Sequence, residues 1–105
     1  MNTPTNIQMI GEEIAILWTD GREDYFPMEM LRACSPSAEN IGEKDLFGRI
    51  HGGDPRTEYP GVRVESWDFI GNYAIRFQFS DKHNTGLYSY EYLLRLGDAY
   101  KKSME

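Results

Sequence analysis

The sequence predicts an α+β fold: a mostly antiparallel sheet of about six strands, with two helices and a long central loop. Three observations carry this reading. Runs of alternating apolar residues are broken at short intervals by turn-forming pairs such as Asp20-Gly21 and Gly71-Asn72, which favours hairpins over crossovers. Two stretches, residues 27–34 and 90–101, instead carry apolar side chains at helical spacing behind a helix-starting residue. Finally, the order strand, polar turn, short strand, helix occurs twice. Ile14-Ala15-Ile16-Leu17-Trp18-Thr19-Asp20-Gly21, leading to Tyr25-Phe26-Pro27-Met28, is echoed by Ile75-Arg76-Phe77-Gln78-Phe79-Ser80-Asp81-Lys82, leading to Leu87-Tyr88-Ser89-Tyr90. Two β-hairpin-helix pseudo-repeats, each too small to bury its own apolar face, can share one core.

Along the chain, residues 1–6 are polar and read as a frayed lead-in. Residues 7–10 and 14–18 form a hairpin about Gly11-Glu12, and Asp20-Gly21 favours a turn that pairs residues 23–26 back on the second strand. Pro27 suits a first helical turn, where its missing amide proton costs nothing, and Met28 and Leu31 face inward before the helix stops near residues 34–36. Residues 35–61 are rich in Gly, Pro and charge, with Leu46, Phe47 and Ile50 as apolar anchors, and read as a long loop. In residues 62–70 the alternation slips between Val64 and Trp67, so a bulge is expected near Ser66. Residues 73–79 alternate cleanly, residues 86–88 pair back, and Ser89 caps a helix over 90–101 whose last turn carries Lys101 and Lys102.

At 105 residues the chain is expected to be one domain, 1–105, with a single modest core. A net charge of -6 argues against nucleic acid, whose binding rests on cations neutralising phosphates. No apolar run approaches membrane-spanning length, and the start lacks the basic and apolar regions of a signal peptide. One cysteine, Cys34, excludes an internal disulfide, and a cytoplasmic location is expected.

Chemistry-bearing motifs are sparse. Cys34, His51 and His83 lie at none of the spacings of a metal site. Asp20 and Asp81 occupy matching turns, where a carboxylate caps local amides without any catalytic role. Cys34 follows a helix C-terminus, which disfavours a thiolate. Gly52-Gly53 lacks the preceding strand and following helix of a phosphate cradle. Trp67, Tyr88, Tyr90 and Tyr92 are aromatic anchors for a core. Tyr90 and Tyr92, two apart on one helix, point to different sides, so at least one is expected to be exposed as a contact point.

The segments Leu31-Arg32-Ala33-Cys34-Ser35-Pro36-Ser37-Ala38-Glu39, Ile70-Gly71-Asn72-Tyr73-Ala74-Ile75 and Ser80-Asp81-Lys82-His83-Asn84-Thr85-Gly86-Leu87-Tyr88-Ser89-Tyr90-Glu91-Tyr92-Leu93 resemble the N-terminal domain of gamma-butyrobetaine hydroxylase, a domain also found as small stand-alone bacterial proteins. The resemblance runs from about Ile14 to Gly97. It implies a zinc site of three cysteines and a histidine in hydroxylase members. Carried over, those positions fall on Ser35, Ser37, Asn40 and His83, of which the histidine alone keeps its type; hydroxyl and amide groups are poor zinc ligands. The iron oxygenase domain of the hydroxylases has no counterpart in this sequence, and some members are joined to iron-sulfur cluster carriers.

The expectation is therefore a non-enzymatic protein-interaction or accessory module with no cofactor and no catalytic residue, acting on an unknown protein partner or on a second copy of itself. Trp67, His83, Tyr90 and Tyr92 are its candidate contacts. One alternative is a metal or iron-sulfur accessory protein centred on His83. Another is a small-metabolite enzyme, which requires Asp81, His83 and Cys34 to converge.

Overall fold

The computed structural model describes residues 2–36 and 59–104. The first half forms three strands, β1 (Pro4–Ile10), β2 (Glu13–Trp18) and β3 (Glu23–Pro27), followed by helix α1 (Met28–Ala33). The second half forms β4 (Val64–Ile70), β5 (Ala74–Phe79) and β6 (Leu87–Ser89), followed by helix α2 (Tyr90–Ser103). Each set of strands is an antiparallel meander. The six strands divide into two three-stranded sheets, in orders β1-β2-β3 and β4-β5-β6, where one mostly antiparallel sheet of about six strands was expected. The break falls between β3 and β4, where the chain passes through α1 and the long connection instead of a tight turn. Of the expected loop over 35–61, residues 37–58, with His51, Gly52 and Gly53, lie outside the described residues.

The turns behave as their residues dictate. Gly21, at φ +89°, takes the left-handed conformation that the Asp20-Gly21 turn requires. Register shifts occur between Val64 and Ser66, at the expected bulge, and between Pro4 and Asn6. The lead-in over 1–6 is a correction. Pro4 to Asn6 belong to β1, and Thr3 exchanges hydrogen bonds with Thr19, whose amide donates to the Thr3 carbonyl at 2.9 Å. Pairing with the end of β2 satisfies backbone groups that a frayed end would leave to water.

Both helices start directly from the preceding strand. Pro27 ends β3 and stands at the N-cap of α1, one residue earlier than expected, and Ser89 caps α2 by accepting a hydrogen bond from the Tyr92 amide. The first amide of each helix donates to a carbonyl in the hairpin turn of its own half: Met28 to Glu12 at 2.9 Å, and Tyr90 to Tyr73 at 2.8 Å.

One cluster of buried side chains draws on both sheets and both helices. Ile14, Ile16, Trp18 and Phe26 meet Ile75, Phe77, Phe79 and Tyr88, with Leu31 of α1 and Leu93 and Leu96 of α2. Removing this apolar surface from water is the main favourable term of folding. No helix among the described residues is long and apolar enough to cross a membrane.

Candidate functional site

The C-terminal end of α1 and the turn between β5 and β6 meet in a polar corner. A short helix leaves its last carbonyls without intrahelical partners. Here two phenols supply them: Tyr88 donates to the Leu31 carbonyl, and Tyr92 to the Cys34 carbonyl at 2.6 Å. Burial pushes the Tyr88 phenol well above its ordinary range, and a hydrogen bond with Ser35 only partly counters this. Arg32, in the last turn of α1, donates to Asp81 at 2.8 Å and lies 4.2 Å from the centre of the Tyr59 ring. Asp81 also accepts the backbone amide of His83 at 3.1 Å, fixing the turn that carries the imidazole.

His83 Nε2 and Ser35 Oγ are 2.8 Å apart, so two of the four positions that the resemblance carries over as zinc ligands are in direct contact. Ser37 and Asn40, the other two, lie outside the described residues. The pair does not fit a zinc ion. The imidazole nitrogen that would face a metal is hydrogen-bonded to a neutral hydroxyl, and a hydroxyl does not supply the anionic donor that structural zinc requires. The corner is also tight: a Cβ on Gly86 would stand 2.2 Å from Ser35 Oγ. Among the described residues no group of three or more His, Cys, Asp or Glu side chains is placed to hold a metal ion.

A serine hydroxyl this close to an imidazole has the separation of a nucleophile and its base, but among the described residues the neighbouring acid and thiol are otherwise engaged. The Asp81 carboxylate is committed to Arg32 and to the His83 main chain. Cys34 is 1% exposed, so its thiol has no access to a substrate. The Asp20 carboxylate accepts the Arg22 amide at 2.9 Å, the turn-capping role expected of it.

The expected exposure of Tyr90 or Tyr92 is corrected, because both are buried. They do leave the helix on different sides, but the first turn of α2 is enclosed on both. Tyr90 meets the Trp18 ring edge-on at 6.3 Å, and Tyr92 packs beside Tyr88 and reaches Cys34. Trp67 and His83 are half-buried, with Trp67 packed against the core from β4. Among the described residues the strongly exposed aromatic side chains are Tyr25, Phe69 and Tyr73 instead.

A second polar cluster was not anticipated from sequence. Asp24, 1% exposed, accepts hydrogen bonds from Trp18 Nε1 at 2.7 Å and Arg22 Nε at 2.9 Å, and pairs with Lys101 at 3.0 Å. Arg22 extends the network to Asp98 and to the Leu94 carbonyl, both at 2.9 Å, and so ties the first sheet to α2. Gly97 makes the approach possible, since a Cβ there would stand 2.4 Å from Asp24 Oδ1. A period-two signal was available: if Phe26 points inward, so does Asp24, toward a tryptophan that needs an acceptor.

The family model described as "Gamma-butyrobetaine hydroxylase-like, N-terminal" matches residues 6–94. The chain is similar to a crystal structure of a protein of unknown function of the DUF971 family from Acidithiobacillus ferrooxidans. The two share 31% identity over 90% of this chain and 92% of that one, with a TM-score of 0.66. It is also similar to two proteins with NMR solution structures. One is 27% identical over 97% of this chain and 77% of the other, at TM-score 0.66; the second is 26% identical over 99% and 78%, at 0.68. No curated protein matches.

Proposed function

Because this chain belongs to the gamma-butyrobetaine hydroxylase-like N-terminal domain family, we propose that it works as a non-enzymatic interaction or accessory module, one that docks on a partner protein. The observation that carries this reading is the distribution of large apolar side chains over its sheets. Met9, Ile10, Leu17, Tyr25, Phe69, Tyr73 and Leu87 are all exposed. Exposed apolar side chains that share one face favour association, and Ile10, Leu17 and Tyr25 lie on the same face of the first sheet. Among the described residues, Asp24, Asp81, Tyr88 and Tyr92 are meanwhile engaged in holding helices and turns. Of the expected contacts, Trp67 and His83 are half-buried, whereas Tyr90 and Tyr92 are buried and serve the core instead.

The two strand–strand–strand–helix units are read as copies of one pseudo-repeat. The matched amides of Met28 and Tyr90, and the matched irregularities in β1 and β4, support that reading. The whole chain 1–105 is read as one domain, and a cytoplasmic site of action agrees with the single buried thiol.

Affinity purification of the tagged chain from its own cells, with chemical cross-linking before lysis and mass spectrometry after, tests the proposal. A stoichiometric partner cross-linked to sheet residues is the expected result. A strict monomer with no stoichiometric partner overturns it.

A further inference from the structure

Resting on the interaction reading, we propose that the outer face of the β1-β2-β3 sheet is the docking surface, and that its occupant is a basic amphipathic helix on a partner protein. The inner face of this sheet, built by Ile14, Ile16, Trp18 and Phe26, covers the core. By alternation, Ile10, Ala15, Leu17 and Tyr25 project from the opposite side, with Glu13 and Glu23 beside them. Ile10 is 49% exposed, Leu17 38% and Tyr25 44%. A shallow depression of about 110 Å³ crosses all three strands among these residues. Tyr25 and Glu13 also border a second groove, shared with Tyr100 and Met104 of the α2 end, so the apolar strip continues around the edge of β3.

Charge decides what fits there. The three strands contain no Lys or Arg, so the face carries carboxylates and no cation of its own. At the rim, Lys101 is committed to Asp24 and to the Glu23 carbonyl, and Arg22 to Asp24 and Asp98. The Tyr25 phenol is pushed up, first by the charge of Glu23 and then by desolvation and a hydrogen bond with Glu23, with Glu13 adding to it. A second copy would set Glu13 and Glu23 against like charges. A purely apolar partner would desolvate both carboxylates without a counter-ion. A helix whose apolar stripe is flanked by lysines or arginines satisfies the strip and the charges together.

The test is an NMR titration of the isotopically labelled full chain with a synthetic leucine-lysine amphipathic peptide of about 18 residues, long enough to hold a helix on contact. A leucine-glutamate peptide of the same pattern is the control. Amide shifts centred on Ile10, Ala15, Leu17 and Tyr25 are expected with the basic peptide and none with the acidic one. The double variant E13K/E23K should weaken binding by about tenfold or more. Tyr25→Ser, which removes apolar contact at constant charge, should weaken it as well, and a dispersed spectrum verifies that each variant folds. Shifts centred on Trp67 or the Ser35–His83 corner, equal binding by both peptides, unchanged affinity in both variants, or concentration-dependent shifts without peptide would each overturn the assignment of this face. They would leave the module reading standing, since that reading falls only if no stoichiometric partner is captured in cells.

Discussion

Asp24 shows how much one side chain can hold. A carboxylate removed from water costs several kcal/mol unless its oxygens are met by good donors, and Trp18, Arg22 and Lys101 meet them. Asp24→Ala should therefore destabilise the fold by about 3 kcal/mol, read as a lower urea midpoint, because it leaves the buried indole N–H without its acceptor and removes the carboxylate that Arg22 and Lys101 share. Gly97 gives the complementary test. In an isolated helix Gly→Ala gains about 1 kcal/mol. Here the added methyl meets a short, buried carboxylate held by several bonds, so Gly97→Ala should destabilise by about 1–3 kcal/mol in the same assay. Neither role rests on a recognisable motif. Asp24 was legible only through its position in an alternating strand, and Gly97 not at all, because its requirement comes from a strand distant in sequence.

Helix α1 illustrates the limits of an element read by itself. Six residues are too few to be helical in water, and Pro27 offers no side-chain cap. Its stability comes from Leu31 in the core and from Tyr88 and Tyr92 on its terminal carbonyls. Tyr92→Phe leaves the Cys34 carbonyl without that donor and should cost about 1–3 kcal/mol in chemical denaturation. At α2, where capping is local, Ser89→Ala should cost about 1 kcal/mol. The hairpins, the Ser66 bulge and the Ser89 cap were legible because turn chemistry and capping act over a few residues. The pairing of Pro4 to Asn6 and the burial of both Tyr90 and Tyr92 were not, since each depends on what a remote segment places alongside. Of the candidate site, the Asp81 turn was readable, but the Ser35–His83 contact spans two elements and is fixed by tertiary packing.

Over the whole molecule, the linked titrations define two limits of stability. Burial works to raise the Asp81 pKa, but hydrogen bonds from Arg32 and the His83 amide, with the Arg32 charge, hold it below its ordinary 3.8. The folded chain then binds this proton more weakly than the unfolded one, so the stabilisation is present above pH 3.8 and is lost as pH falls through the lowered value. Tyr88 acts in the opposite sense. Its phenol stays protonated in the fold beyond 10.0, the value at which an unfolded chain releases the proton, so stability falls as pH rises above that point. Thermal midpoints measured against pH should decline at both ends, with Asp81→Asn flattening the acid limb and Tyr88→Phe the alkaline limb. The reciprocal stitching has a further consequence. The helix of the leading half is held by phenols of the trailing half, while the helix of the trailing half is gripped by Arg22 and Asp24 of the leading one. Peptides spanning 1–36 and 59–105 should each be random coil in isolation and recover dichroism only on mixing, a fragment-complementation behaviour that two autonomous lobes would not display.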